Sequence, residues 1–447
     1  MDVYSTDSAG VGGVIRRVPN DFLVEEVLID GSIASINETE GKPALNASTS
    51  RQRYLLCVLI KRNWDTFVAV KNVAKQLGID QKRISIAGIK DAKAVTAQHI
   101  TIENVTMEDT KNVNVKDIEV RPVGYFRDAL SSFYLLGNRF TITITGIKHS
   151  ELTIKQRIAK TVEELEAQGG MSNFFGHQRF GTTRAITHVV GKAIVNGDFH
   201  EAAMLFLAKP SPHEHPESRA AREELQADQN FAKALMNFPK QLRFERLMLR
   251  YLVENPTDFV GAFRQLPMKL QALFVQAYQS YLFNRFLSER IRSGFSLNRA
   301  EVGDYAVMVE RSGLPLSRTG KVAAANSWVE INEAIKAGKM RVALPLVGFR
   351  QGLSEGEMGR IEVQILEEER VELTGFRVQE MPRISGQGEL RPVVSPIRFF
   401  KMEGVSHDEE LAGLQKVRLS FMLLRGSYAT IALREIMKPQ DLLEAGF

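Results

Sequence analysis

Residues 54–77 read YLLCVLIKRNWDTFVAVKNVAKQL. The first seven form a short apolar run of Leu, Val and Ile closed by charge, as a strand is. From Asp65 onward, apolar residues recur at Phe67, Val70, Val73, Ala74 and Leu77, the spacing of an amphipathic helix that ends at Gly78. A strand running straight into a helix predicts a mixed α/β (α+β) fold. Outward from this stretch, strands are expected at 22–29, 84–87, 96–102 and 140–145 (FTITIT), and a helix over 152–165. The middle changes character: from Ala185 to about Ile291 nearly every segment has helical spacing, with Pro and Gly only between segments. Strand-like pieces return at 340–346, 361–366, 394–400 and 417–424. The two ends of the chain are therefore expected to share one α/β domain, with a mainly helical module inserted between them.

Composition narrows the chemistry. A chain of 447 residues predicts two or three domains, and 44% apolar residues suffice for sizeable cores. The single Cys57 excludes an internal disulfide and any Cys-rich zinc site, which fits a reducing compartment. No stretch approaches the ~18–20 consecutive apolar residues of a membrane span, and residues 1–13 lack a basic-then-apolar leader. A cytoplasmic protein without a membrane association is expected. The net charge of +5 says little by itself, but its distribution is uneven. Residues 51–93 carry ten basic and three acidic side chains, whereas 353–375 carry seven Glu against two Arg. Such segregation is expected of a protein that binds a phosphate backbone, and equally of a solvated basic face.

Three familiar signatures fail. Residues 313–321, GLPLSRTGK, have the wrong glycine spacing for a phosphate-binding loop, and Val322 stands where Ser or Thr would hold magnesium. Gly10, Gly12 and Gly13 precede the first strand instead of following one, so they do not form a dinucleotide fingerprint. His213 and His215 lack a third ligand at sensible spacing. No nucleotide-binding loop and no metal site are expected from these stretches.

Two segments stand apart. Residues 88–98, GIKDAKAVTAQ, place Asp91 between Lys90 and Lys93 on a connection that Gly88 opens. Neighbouring cations favour an ionised carboxylate, which can serve as a nucleophile or base; it can equally pair with those lysines on a surface turn. Residues 173–181, NFFGHQRFG, combine three Phe with Asn, Gln and Arg around glycines. Aromatic faces stack bases, Arg pairs with phosphate and amides read base edges, so the set suits an extruded nucleotide. A buried turn with Phe in the core and Arg179 as a cap would carry the same residues.

The chain resembles the tRNA pseudouridine synthase D family along nearly its whole length. The resemblance runs in order through residues 19–27 (PNDFLVEEV), 88–98, 137–140 (GNRF), 173–181, 276–290 (QAYQSYLFNRFLSER) and 426–438 (GSYATIALREIMK). It implies a pseudouridine-synthase catalytic domain with a mixed, largely antiparallel sheet at 1–184 and 370–447, and an inserted, mainly helical TRUD module at 185–369. It implies an isomerase that needs no cofactor and acts on tRNA, with position 13 of the D arm as the expected uridine; no protein partner is implied. The family motif places the essential aspartate on Asp91, attacking either C1′ or C6. Arg16, with Arg17 as the alternate, matches the basic residue that pairs with it. Phe175 matches the base-stacking position, and Asn173 orders the loop or contacts the base. Lys90, Lys93, Arg179 and Arg434 are candidate RNA contacts. Glu25 and Glu26 are expected to be half-buried strand residues paired with Arg or Lys, and 276–290 a core helix. The competing classes are a tRNA-binding protein or RNA chaperone on the same fold, and an RNA methyltransferase, against which the lack of a cofactor loop after a strand argues.

Overall fold

The computed structural model describes residues 3–37, 44–316 and 319–447. Ser317 and Arg318 of the rejected loop at 313–321, and Met1 and Asp2 of the N-terminal stretch, lie outside them. The chain divides into two compact units. One comprises Tyr4–Met171, Arg311–Leu314 and Ser395–Phe447, and the other Val3, Ser172–Glu310 and Pro315–Val394. Both ends of the chain thus share a unit. The compact units divide after Met171 and after Val394, which puts residues 173–181 in the inserted unit.

The terminal unit is built on an eight-stranded sheet. Its first strands are β1 (Phe22–Leu28), β2 (Tyr54–Arg62), β3 (Ile84–Ile86), β4 (Val95–Glu103), β5 (Ile118–Phe126) and β6 (Leu135–Ile147), with helix α1 (Thr66–Gln76) following β2. Strands Gln415–Leu424 and Ile397–His407 extend the sheet beyond β6. β1 and β4 pair in parallel, and every other ladder is antiparallel. β2 reads as an unbroken apolar run because both its faces are covered. Leu55, Cys57 and Leu59 pack on Ala69, Val70, Val73 and Ala74 of α1, while Val58 and Ile60 meet Val95 and Ala97. The Asp65 carboxylate starts α1 by accepting the Phe67 and Val68 N–H groups. Burial pushes the Cys57 thiol up, so it is a core residue and not a reactive one.

The inserted unit centres on the helix Met268–Arg292, whose Phe274, Val275, Ala277, Tyr278, Leu282, Phe283 and Phe286 are fully buried or nearly so. Helix Thr187–Val195 lies close against it because Gly191 has no side chain: a Cβ there would sit 2.0 Å from the Phe274 carbonyl oxygen. A four-stranded antiparallel sheet accompanies the helices. The strand expected at 361–366 is instead part of helix Gly356–Glu369. Its β-branched residues favour a strand locally, but Met358, Glu362, Ile365 and Leu366 share one buried helical face, and packing overrides propensity.

Candidate active site

The register of the sheet assembles the first cluster. Leu23 of β1 pairs in parallel with Val95 of β4, so the segments leading into both strands emerge at the same sheet end. β2 runs antiparallel to β4 with Lys61 opposite Thr96, so β2 finishes at that end. Arg16, Lys61 and Asp91, distant in sequence, meet there. Arg16 donates from Nη2 to Asp91 Oδ1 at 2.8 Å. The Arg16 side chain is 8% exposed and that of Asp91 25%, so the cation is enclosed while the carboxylate stays accessible. The Arg16 guanidinium also lies 4.0 Å over the Phe22 ring, and its backbone is held at φ 59°, in the left-handed region that a side chain rarely occupies. Burial lowers the Arg16 pKa, and the Asp91 charge opposes that change. Arg17, the alternate, faces Glu410 at 3.5 Å.

The loop carrying Asp91 is anchored from beneath. The Lys61 ammonium, fully buried, donates to the Asp91 carbonyl oxygen at 2.6 Å. Burial brings its pKa down to about 8, against the opposing charges of Asp91 and Asp65. Thr66 and Lys90 exchange hydrogen bonds, the Lys90 N–H donating to the Thr66 hydroxyl at 3.1 Å and that hydroxyl to the Lys90 carbonyl at 3.2 Å. Gln98 Nε2 donates to the Gly88 carbonyl at 3.0 Å. Sequence reading passed over Lys61; its signal was a lysine ending an apolar strand.

Lys90 is not the RNA contact expected of it. Its side chain is 2% exposed and its ammonium lies 2.6 Å from Glu26 Oε2, which also accepts, through Oε1, the His99 N–H at 3.0 Å. Burial, the largest single influence, would raise the Glu26 pKa, but Lys90 and His99 together outweigh it and hold the carboxyl below its ordinary range. Glu25 pairs with Arg139 at 2.6 Å. Both glutamates take basic partners as expected, but they are buried more deeply than half. Arg434 is also turned inward, 4% exposed with its guanidinium 4.0 Å over the Tyr4 ring, so it presents no surface to a phosphate. Residues 426–438 form the closing helix Ala429–Met437. Of the basic stretch at 51–93, Arg51, Lys71, Lys75, Lys82 and Lys93 are exposed, while Arg53 pairs with Glu103 and Lys61 and Lys90 are internal.

The second cluster lies within the inserted unit. Asn284 on the helix Met268–Arg292 grips the backbone of Phe175, accepting its N–H at 2.9 Å and donating to its carbonyl at 3.0 Å. The Phe175 ring is 8% exposed, edge-on to Phe283, with the Arg391 guanidinium 4.0 Å over one face. Arg391 is aimed by Asn173, donating to its side-chain oxygen at 2.7 Å and its carbonyl at 3.1 Å. Asn173 Nδ2 donates to the Pro392 carbonyl at 2.9 Å, so this residue orders the loop. Arg179 donates to Ser280 Oγ and Gln276 Oε1, both at 3.3 Å. Sequence reading did not find Arg391, and placed Asn284 only on a helix face. Asn284 is one of four amides on that helix, with Gln271, Gln276 and Gln279, so its residue type alone did not single it out. Arg290 is enclosed with Asp304 at 2.7 Å and Arg285 pairs with Glu368 and Glu369, so 276–290 is core helix.

Among the described residues, no group of three or more His, Cys, Asp or Glu is placed to hold a metal ion, and no helix is long and apolar enough to cross a membrane.

An accessible carboxylate hydrogen-bonded to an enclosed guanidinium thus lies at the end of a mixed, largely antiparallel sheet, and comparison with known proteins gives the class: an isomerase of the pseudouridine synthase type. The family model described as "tRNA pseudouridine synthase D (TruD)" matches residues 1–436. The chain is 41% identical over 442 residues to "Probable tRNA pseudouridine synthase D" of Methanosarcina acetivorans, covering 99% of this chain and 96% of that one. A Thermococcus sibiricus protein of the same description is 36% identical, with 97% of each chain covered. The crystal structure of the Methanosarcina mazei homologue superposes with a TM-score of 0.82 at 38% identity, over 98% of this chain and 96% of that one. This chain belongs to the tRNA pseudouridine synthase D family.

Proposed function

We propose that this protein converts a uridine within tRNA, position 13 of the D arm, to pseudouridine, with Asp91 as the nucleophile. The reaction breaks the N1–C1′ bond and makes C5–C1′; the C5 proton leaves and N1 ends protonated, so no electrons are gained or lost. The carboxylate adds to C1′ or to C6 of the ring and is released at the end. The observation that carries this reading is Asp91 itself: a quarter exposed, 2.8 Å from Arg16, on a loop whose backbone Lys61 and Thr66 hold. Arg16 keeps a cation beside the carboxylate as it is consumed and regenerated. Lys61, which no substrate reaches, positions the loop. Extruding the target base costs a few kcal/mol, which pocket contacts must return; Phe175 supplies stacking and Asn173 orders its loop. Lys93 and Arg179 contact the RNA.

Tritium release from tRNA carrying [5-³H]uridine tests the proposal, since the label leaves only when C5 is substituted. Wild type is expected to release it, and Asp91→Asn to release none while binding tRNA within several-fold, because phosphate contacts carry most of the affinity. Binding without release by wild type would leave a tRNA-binding protein on this fold. Mapping pseudouridine in tRNA exposed to the protein tests position 13.

A further inference from the structure

The inserted unit contains a cleft of about 910 Å³ whose charge, Arg179 apart, has no part in the function proposed above. Phe175 and Gln276 form part of its wall, and its charged lining is four arginines, Arg179, Arg350, Arg383 and Arg391, against the single carboxylate of Glu389. Arg350 and Arg383 are exposed, and neither forms an ion pair with an acidic side chain among the described residues. A cleft that gathers guanidiniums suits an anionic ligand. The remaining lining is largely amide, hydroxyl and glycine backbone, including Gln279, Ser385 and Gly386. Such a surface hydrogen-bonds sugars and base edges without selecting a metal or an apolar ligand. The Arg391 guanidinium lies 4.0 Å over the Phe175 ring and is tied to the Asn173 side chain. A base can stack on such a plane as on an aromatic ring.

We propose that this cleft binds a single-stranded segment of the RNA substrate, with Arg350 and Arg383 holding phosphates and the Arg391 guanidinium supporting a base. The proposal rests on tRNA being the substrate, and adds to that reading the residues that hold the strand outside the reacting nucleotide.

Binding of unmodified tRNA to the full chain carrying Asp91→Asn is measured as a function of salt, with Arg350→Ala and Arg383→Ala added together. The expected result is a loss of about 10- to 100-fold in affinity near physiological salt, with a salt slope shallower by roughly 0.7–0.9 per phosphate contact removed. The Lys pair, R350K with R383K, keeps most of the slope, which separates charge from misfolding. Arg360→Ala, an exposed arginine on the helix Gly356–Glu369, serves as the control and is expected to change nothing. With Asp91 intact, the double Ala variant raises KM for tRNA with kcat within about twofold. An unchanged affinity and slope overturns the proposal, as does an equal loss in the Arg360 control. Uridine 5′-monophosphate, titrated alone, is expected to bind far more weakly than tRNA; binding as tight would make the cleft a free-nucleotide site and overturn the RNA assignment. If wild type releases tritium while the double variant behaves as wild type, the cleft proposal fails and the activity stands. If wild type binds through the cleft yet releases none, the activity fails and the cleft stands.

Discussion

Replacing Lys61 by Met removes a buried charge that the fold holds at a cost, so stability and activity should move apart. The pKa of Lys61 falls from 10.5 to about 8 on burial. The unfolded chain therefore holds this proton between pH 8 and 10.5 while the folded chain has lost it, and wild-type stability rises with pH across that window. Below pH 8 the whole penalty is present, about 3 kcal/mol, since each tenfold loss of proton affinity is worth about 1.4 kcal/mol. Losing the ammonium's hydrogen bond to the Asp91 carbonyl returns about 1.5–3 kcal/mol of that gain. At pH 7 the Met variant should thus be between equally stable and about 1.5 kcal/mol more stable. Its stability should stay flat from pH 8 to 10 where wild type climbs. The charged groups facing Lys61 are Asp91, Asp65 and Lys90; the first two hold its proton and the third opposes it. Activity should fall nonetheless: the Asp91 loop loses its anchor, and about 1.4 kcal/mol of lost positioning is tenfold in kcat. Because Lys61 is fully buried, KM for tRNA should not move. Urea denaturation followed by circular dichroism from pH 7 to 10, beside tritium-release kinetics, checks both halves. A variant with kcat within twofold of wild type would refute the positioning role. One less stable by more than about 2 kcal/mol at pH 7 would refute the energetic reasoning.

Arg16→Met should lower kcat at least tenfold and Arg16→Lys should restore part of it, because a lysine keeps the charge beside Asp91 but not the fork; single-turnover rates at saturating tRNA decide. Phe175→Leu keeps most of the buried volume but removes the ring, so turnover should weaken by the equivalent of about 1–3 kcal/mol of stacking with a smaller change in urea midpoint. A Leu variant with wild-type turnover would show that the base rests elsewhere. Burial pushes Glu362 up to about 7 against two hydrogen bonds from Ser354. The folded chain therefore binds this proton more tightly than the unfolded one, and stability falls as pH rises from 4.5 through 7, by about 3 kcal/mol in all. His188, lowered to about 4 by burial, has the opposite slope between pH 4 and 6.5, so the difference between wild type and Glu362→Gln is the quantity to measure. A difference constant across pH 4.5–7 would contradict the raised Glu362 pKa.

Sequence alone settled what local physics can settle. The strand over 54–60 and the helix after it are visible because one period is unbroken apolarity and the other is 3.6-residue spacing. The helical middle stood out for the same reason, and the ordered family motifs carried the Asp91 and Arg16 assignments. What lies inside a chemically rich segment was not legible there. Lys90 and Lys93 flank Asp91 alike in sequence, yet Lys90 turns inward to Glu26 while Lys93 stays exposed. Arg434 looks like any surface arginine until Tyr4, from the far end of the chain, covers it. The strand expected at 361–366 failed because β-branched content is a weak local preference that a packed helical face overrules.

Tertiary structure decided which residues meet. Arg16 and Asp91 lie 75 positions apart and Lys61 and Asp91 30 apart. β1 and β4 begin, and β2 finishes, at one end of the sheet. Ladder register is set by which faces bury against the core over the whole sheet. A contact fixed by that sum over many strands is not written in the physics of the few residues that make it; only the family resemblance named Arg16 beside Asp91, and nothing named Lys61.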